Sequence, residues 1–226
     1  MVYRRTNKTD ARLGERRQAI LNAGTAMVTS AGFRGLSMQV VADRAGIATG
    51  TVYRYFPSKQ ALCTEIVTVI ADRELNVLRD IAACDGASLK RLWTMVIVFT
   101  ERALQARTLA YALMGEPVSA ELNALRLDYR SALADIVAAL IGNCARENSL
   151  PEQDSSSSAA FIVGAFIEGV IGPHALKVSP HGRARLASDI ARFCVRGAGA
   201  QPGAVGELER CTDTENETLR SPATSS

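Results

Sequence analysis

SMQVVADRAGIATGTVYRYF, residues 37 to 56, is the stretch on which the fold turns. Ser37 is a natural N-cap for a short helix of about Met38 to Ala45. Gly46 ends that helix, because a residue without Cβ enters the left-handed region cheaply. A second short helix fits between Thr49 and Phe56, and Pro57-Ser58 breaks it. Two short helices that cross closely need a small residue at the contact, a glycine in the turn and apolar residues beneath both. Ala42 supplies the crossing, Gly46 the turn, and Val41, Ala45, Ile47, Val52 and Phe56 the underside.

The outer face of the second helix is then free to meet a partner. It holds Thr49, Gly50, Thr51, Tyr53, Arg54 and Tyr55, with Ala48 at its entry. Threonine hydroxyls donate or accept at base edges, tyrosine and arginine reach phosphate oxygens, and a glycine lets backbone approach a duplex closely. Lys59, opening the next helix, is a further phosphate contact. Taken singly, Tyr53, Tyr55 and Phe56 would also suit a core, and Gly46 would merely end a helix.

Charge separates these readings. The chain has 226 residues and a formal net charge of +3, which by itself implies no polyanion. Residues 1 to 60, however, hold ten Lys or Arg against three acids, a net of +7, so the remainder carries −4. A basic head on an acidic body is the pattern of a polyanion-binding head on a different kind of body, and it is the helix-turn-helix within the basic part that points to nucleic acid.

Apolar residues recur elsewhere at three- and four-residue steps, so the whole chain reads as all-α. A first helix spans about Ala11 to Ala31, with Gly32 as its stop. A fourth runs from about Lys59 to Ala83, with Leu62, Ile66, Val69, Ile70, Leu75 and Leu78 mostly inward and Ser58 as its cap. Helices follow at about Leu89 to Arg107, a short piece to Gly115, Ser119 to Glu147, Ser157 to Leu176, and Ser179 to Gly197. Asp154 or a neighbouring serine caps the helix before Leu176. Residues 198 to 226, rich in Gly, Pro, Ser, Thr and Glu, have the composition of a disordered tail. The expected organisation is a head at 1–58, a helical body at 59–197 and that tail.

Residues 13 to 62 resemble the DNA-binding domain of the TetR family of bacterial transcriptional regulators. The resemblance rests on Arg17 to Phe33, Val41 to Ile47, and above all Gly50-Thr51-Val52-Tyr53-Arg54-Tyr55-Phe56-Pro57-Ser58-Lys59. It implies about nine helices, three in the head, and a ligand-binding body that dimerises through its last two. It also implies that Thr49, Gly50 and Thr51 approach bases while Ser37, Tyr53, Tyr55 and Lys59 hold phosphates. Gln39, Ala48 and Arg54 complete the expected DNA-facing set. Ala48 stands where the family often has Ser or Thr, which leaves Thr49 as the expected cap.

The partners expected on this basis are a double-stranded DNA operator, a second copy of the chain and a small-molecule effector. A dimer would bind a palindrome with half-sites about 34–36 Å apart. The candidate dimer helices are Phe161 to Leu176 and Arg185 to Val195, where Gly164, Ala165, Gly169 and Gly172 allow close packing. The effector site is expected among Trp93, Phe99, Arg102, Tyr111, Met114, Tyr129, Phe166 and Glu168, whose apolar character suits a hydrophobic or amphipathic molecule. Glu101, Glu116 and Arg130 also interrupt apolar segments, and a buried charge needs a partner.

Other classes find less support. There is no G-x-S-x-G, G-x-G-x-x-G, P-loop or H-E-x-x-H motif, so neither an enzyme nor a cofactor is expected. His174 and His181 lack companions for a metal site. Five scattered cysteines without a C-x-x-C pair fit reduced thiols in the cytosol, and Met1-Val2-Tyr3-Arg4-Arg5 opens no secretory signal. The apolar run Ala159 to Pro173 contains Glu168 and reads as a buried or interface helix, not a membrane span. The competing reading is a helical small-molecule or lipid carrier whose basic head contacts a membrane or protein.

Overall fold

The computed structural model describes residues 7–220, with side chains from 12 to 212. Its helices are α1 (Asn7–Ala31), α2 (Met38–Ala45), α3 (Thr49–Tyr55), α4 (Lys59–Ala83), α5 (Ser88–Gln105), α6 (Arg107–Met114), α7 (Ala120–Arg146), α8 (Ser155–Ile171), α9 (Pro173–Leu176), α10 (Arg183–Gly197) and α11 (Pro202–Arg220). A 3-10 turn, Pro180–Gly182, precedes α10. The architecture is all-α, as the periodicity predicts.

Contacts divide the chain into two units. Among the described residues, one joins those up to Glu74 with Ala106–Tyr129; the other joins Leu75–Gln105 with those from Arg130. The division falls within α4 and α7 and between α5 and α6. The reason is burial: in the first unit Ile20, Val28, Val41, Ala42 and Val52 share one core with Leu62, Ile66, Ala112 and Leu122. The first three helices, two of them short, cannot cover that apolar surface alone, and the first turns of α4, with α6 and the start of α7, complete it. Each fully buried aliphatic contributes about 1.5–3 kcal/mol against exposure. Gly24 lets α1 press on α4, since an added Cβ would lie 2.8 Å from Ile66 Cδ1. Val69, expected inward, is exposed.

In the second unit α10 packs against α5, α8 and α11. The helix expected to continue to Leu176 breaks at Gly172, because Pro173 has no N–H to extend the ladder and opens α9 instead. By length and composition alone, Ser155–Leu176 is apolar enough to cross a membrane. Its buried side, Ala159, Ile162, Val163, Phe166, Ile167 and Val170, faces protein.

The tail expected to be disordered from residue 198 is helical from Pro202 to Arg220. Its average composition hid a stripe: Val205 and Leu208 are buried, and Thr212 follows one turn later. Glu209 adds an ion pair to Arg192 on α10. The expectations for residues 1–6 and 221–226 lie outside the described residues.

Candidate nucleic-acid interface

The α2–α3 corner is built as its sequence dictates. Ser37 is the N-cap of α2, though its hydroxyl makes no capping bond. Gly46 closes α2 at φ 66°, and its N–H donates to Asp43 while that of Ile47 reaches back to Ala42. This paired 5→2 and 6→1 closure satisfies carbonyls that the helix end leaves open. Val41, Ala42, Val52 and Phe56 are buried, with Ala45 and Ile47 packed at the margin.

The opposite side is open to solvent. Gln39, Ala48, Gly50, Tyr53, Arg54 and Lys59 are exposed, Tyr53 to 48%. Ser37, Thr49, Thr51 and Tyr55 are half-buried, and Tyr55 leans on the core. An added Cβ at Gly50 would meet nothing within 4 Å, so backbone is bare there. Thr49 does not cap α3: Ala48 holds that position without a side-chain bond. The Thr49 hydroxyl instead donates to Gln39 Oε1 at 2.7 Å, and Gln39 Nε2 donates to Asp43 at 3.1 Å. Gln39 and Thr49 thus form one polar pair spanning both helices. Behind them, Arg17 pairs with Glu65 at 2.6 Å and lies over the Phe56 ring at 5.3 Å. That arginine is engaged in holding α1, α3 and α4 together.

The expected effector residues fall in both units. Tyr111, Met114 and Tyr129 belong to the first unit, Trp93, Phe99, Arg102, Phe166 and Glu168 to the second. Phe99 and Phe166 meet with ring centroids 4.5 Å apart. Trp93 is buried and donates its indole N–H to Thr212 on α11 at 2.9 Å. Glu168 and Tyr111 are exposed; Tyr111 borders a cavity of about 200 Å³ with Arg34, Thr108 and Glu116. Burial raises the Glu101 carboxyl above its ordinary range.

One buried charge escaped the sequence reading. Arg126 is buried although charged, and the only sign was its place on the stripe running from Leu122 to Leu133. Phe161 and Phe193 are 75% and 68% exposed and flank a groove of about 250 Å³ between α8 and α10. Cys194, at its floor, is an inert thiol pushed up to about 12 by burial. Among the described residues no three His, Cys, Asp or Glu side chains cluster as metal ligands.

Residues 20–66 match the family model described as bacterial regulatory proteins, tetR family. The HTH-type transcriptional repressor KstR of Mycobacterium tuberculosis is 36% identical over 95 residues, covering 42% of this chain and 43% of that protein. The matched segment thus spans less than half of that relative's length. Among solved structures, a TetR/AcrR-family regulator from Thermobifida fusca has a TM-score of 0.63 at 25% identity, covering 81% of this chain and 98% of that one. FadR of Bacillus subtilis, solved with stearoyl-CoA, has a TM-score of 0.68 at 16% identity, covering 80% and 98%; this second likeness is one of fold.

Proposed function

We propose, from the premise that the chain belongs to the TetR family of bacterial regulatory proteins, that it is a ligand-responsive DNA-binding repressor of transcription. The observation that carries the reading is the division of the α2–α3 corner: a sealed apolar underside beneath a polar face of Gln39, Thr49, Thr51, Tyr53 and Arg54, with Lys59 alongside. Tyr53, Tyr55, Ser37 and Lys59 hold phosphates and fix the register; Thr49, Gly50 and Thr51 read base edges. The Thr49–Gln39 hydrogen bond sets the side chain that enters the groove.

The chain acts in the cytosol as a homodimer, each protomer placing α3 in one half of a palindromic operator. The apolar groove between Phe161 and Phe193 supports α8 and α10 as the dimer face, since large exposed aromatics mark an association surface. The effector is a small hydrophobic or amphipathic molecule held by the helical body. The stearoyl-CoA in Bacillus subtilis FadR supports the amphipathic form. Such a ligand releases the operator only if it binds one arrangement of the two heads more tightly than the other.

The test is selection of duplexes from a random library by the full chain, followed by fluorescence anisotropy across a salt series. A palindrome is expected, with affinity falling steeply as salt rises. Lys59→Ala should weaken binding to all sequences and lower the salt slope by about one, whereas Thr51→Ala should change the preferred bases. Binding without sequence preference, or without salt dependence, rejects the proposal.

A further inference from the structure

Beyond the α2–α3 face, two long-range hydrogen bonds of the first unit meet at the turn that follows α1. Glu116, in the corner between α6 and α7, is only 4% exposed. Its two carboxylate oxygens accept the backbone N–H groups of Phe33 and Arg34, each at 2.9 Å, across 83 and 82 residues of sequence. Gly32 leaves room for this: its φ is +67°, and an added Cβ would lie 2.7 Å from Glu116 Oε2.

The corner is itself anchored. Arg126 Nη1 donates to the Glu116 carbonyl at 2.6 Å, and Nη2 to the carbonyl of Ala112 near the end of α6. A guanidinium there answers the negative pole of a helix C-terminus. From α4, Gln60 donates to the Ser119 hydroxyl at 2.7 Å, and that hydroxyl accepts the Leu122 N–H at the start of α7. The entry to α2 and the first turn of α4 are therefore tied to one corner, and α2 carries α3.

A carboxylate is an expensive way merely to fill this space. Apolar side chains of similar volume hold buried elements as well or better, because desolvating an ion offsets much of what its contacts return. What two charge-assisted bonds to consecutive N–H groups add is direction: they set position and angle together, where an apolar contact tolerates sliding.

We propose that Glu116 is a positioning residue for DNA recognition. It locks the Gly32–Arg34 turn to the α6–α7 corner, so that corner and reading helix turn as one piece and the distance between the two reading helices of a dimer is held. The inference rests on the operator-binding reading above. Its consequence is a separation of two quantities: the affinity of one head for a half-site depends on the α2–α3 face and Lys59, while affinity for a full palindrome depends also on spacing.

The test uses the full chain with its library-selected operator, a single half-site duplex, and palindromes whose spacer is lengthened or shortened by one and two base pairs. Glu116→Ala removes both acceptors. It should leave half-site affinity within about twofold at low salt, lower affinity for the best palindrome at least tenfold, and flatten the dependence on spacer length. Glu116→Gln, which keeps one acceptor and the volume, should fall between and guards against a variant that fails to fold. If half-site and palindrome affinities fall together, Glu116 only supports the fold; if neither changes, it has no positioning role. Either outcome overturns the inference. A wild-type chain that selects no duplex overturns the operator-binding reading instead.

Discussion

The outer face of α2 and α3 and the groove between α8 and α10 are both open to solvent, yet they are made of opposite materials. The first exposes Gln39, Arg54, Lys59 and the hydroxyl-bearing Tyr53 above a buried apolar core; the second exposes Phe161 and Phe193. A hydrated polyanion is met by donors that keep their solvation until contact, so the first face is stable alone. Bare phenyl rings gain when water is expelled, which is why the second is proposed as an association face. The two kinds of surface support the two kinds of partner proposed for the chain.

The comparison is broken most severely inside a core. Phe166→Ala removes a buried ring packed on Phe99 and should cost about 3–5 kcal/mol in denaturant unfolding. Phe161→Ala, on the same helix, should cost under about 0.5 kcal/mol at concentrations where the chain is monomeric. Equal losses would mean that the exposed aromatic is not bare. Next in size is Phe161→Asp with Phe193→Asp. Sedimentation should show dimerisation weakened by at least about 2 kcal/mol, with helix content unchanged. An unaltered dimer would remove the groove from the comparison.

On the polar face the expected contrast lies between two glycines. Gly46→Ala forces a side chain to a positive φ and should cost about 1–2 kcal/mol by thermal unfolding. Gly50→Ala, in open space within α3, should leave stability the same or raise it by up to about 1 kcal/mol, while weakening DNA binding. A matching loss of stability at both positions would contradict the bare backbone at Gly50.

The smallest expected effect is at Glu147. Its carboxylate accepts the Ser88 hydroxyl at 2.6 Å and the Ser88 N–H at 2.9 Å, which holds it below the ordinary carboxylate value. A lowered folded value contributes stability above the unfolded one, near 4.5, and loses it as pH falls through the folded value. Glu147→Gln should therefore melt lower than wild type near pH 7, the gap closing below about pH 4. A gap that stays constant with pH would show that charge is not the cause.

The helix-turn-helix was legible because its signals are short-range. Apolar spacing of three and four residues, a small residue at a crossing and a glycine in the left-handed region all operate within a turn or two. So Ala42, Gly46, Val52 and Phe56 could be placed from sequence, as could the polar face opposite. The caps were less legible: Ser58 and Asp154 accept the expected N–H groups, but the Thr49 hydroxyl goes to Gln39, ten residues away on another helix. The tail misled because composition averages over positions, whereas two buried side chains, an ion pair and the Trp93–Thr212 hydrogen bond dock it.

Local signals in the sequence specify an all-α chain, a helix-turn-helix corner within a basic segment, and the residues on each side of it. Only tertiary structure decided that Glu116 holds the turn after α1, that Arg126 braces the same corner and that Trp93 bonds to Thr212. The physical reason is that a charge or an indole N–H has no partner of its own in sequence. Its alternatives in the unfolded chain are all water, and the fold alone chooses which distant group replaces it.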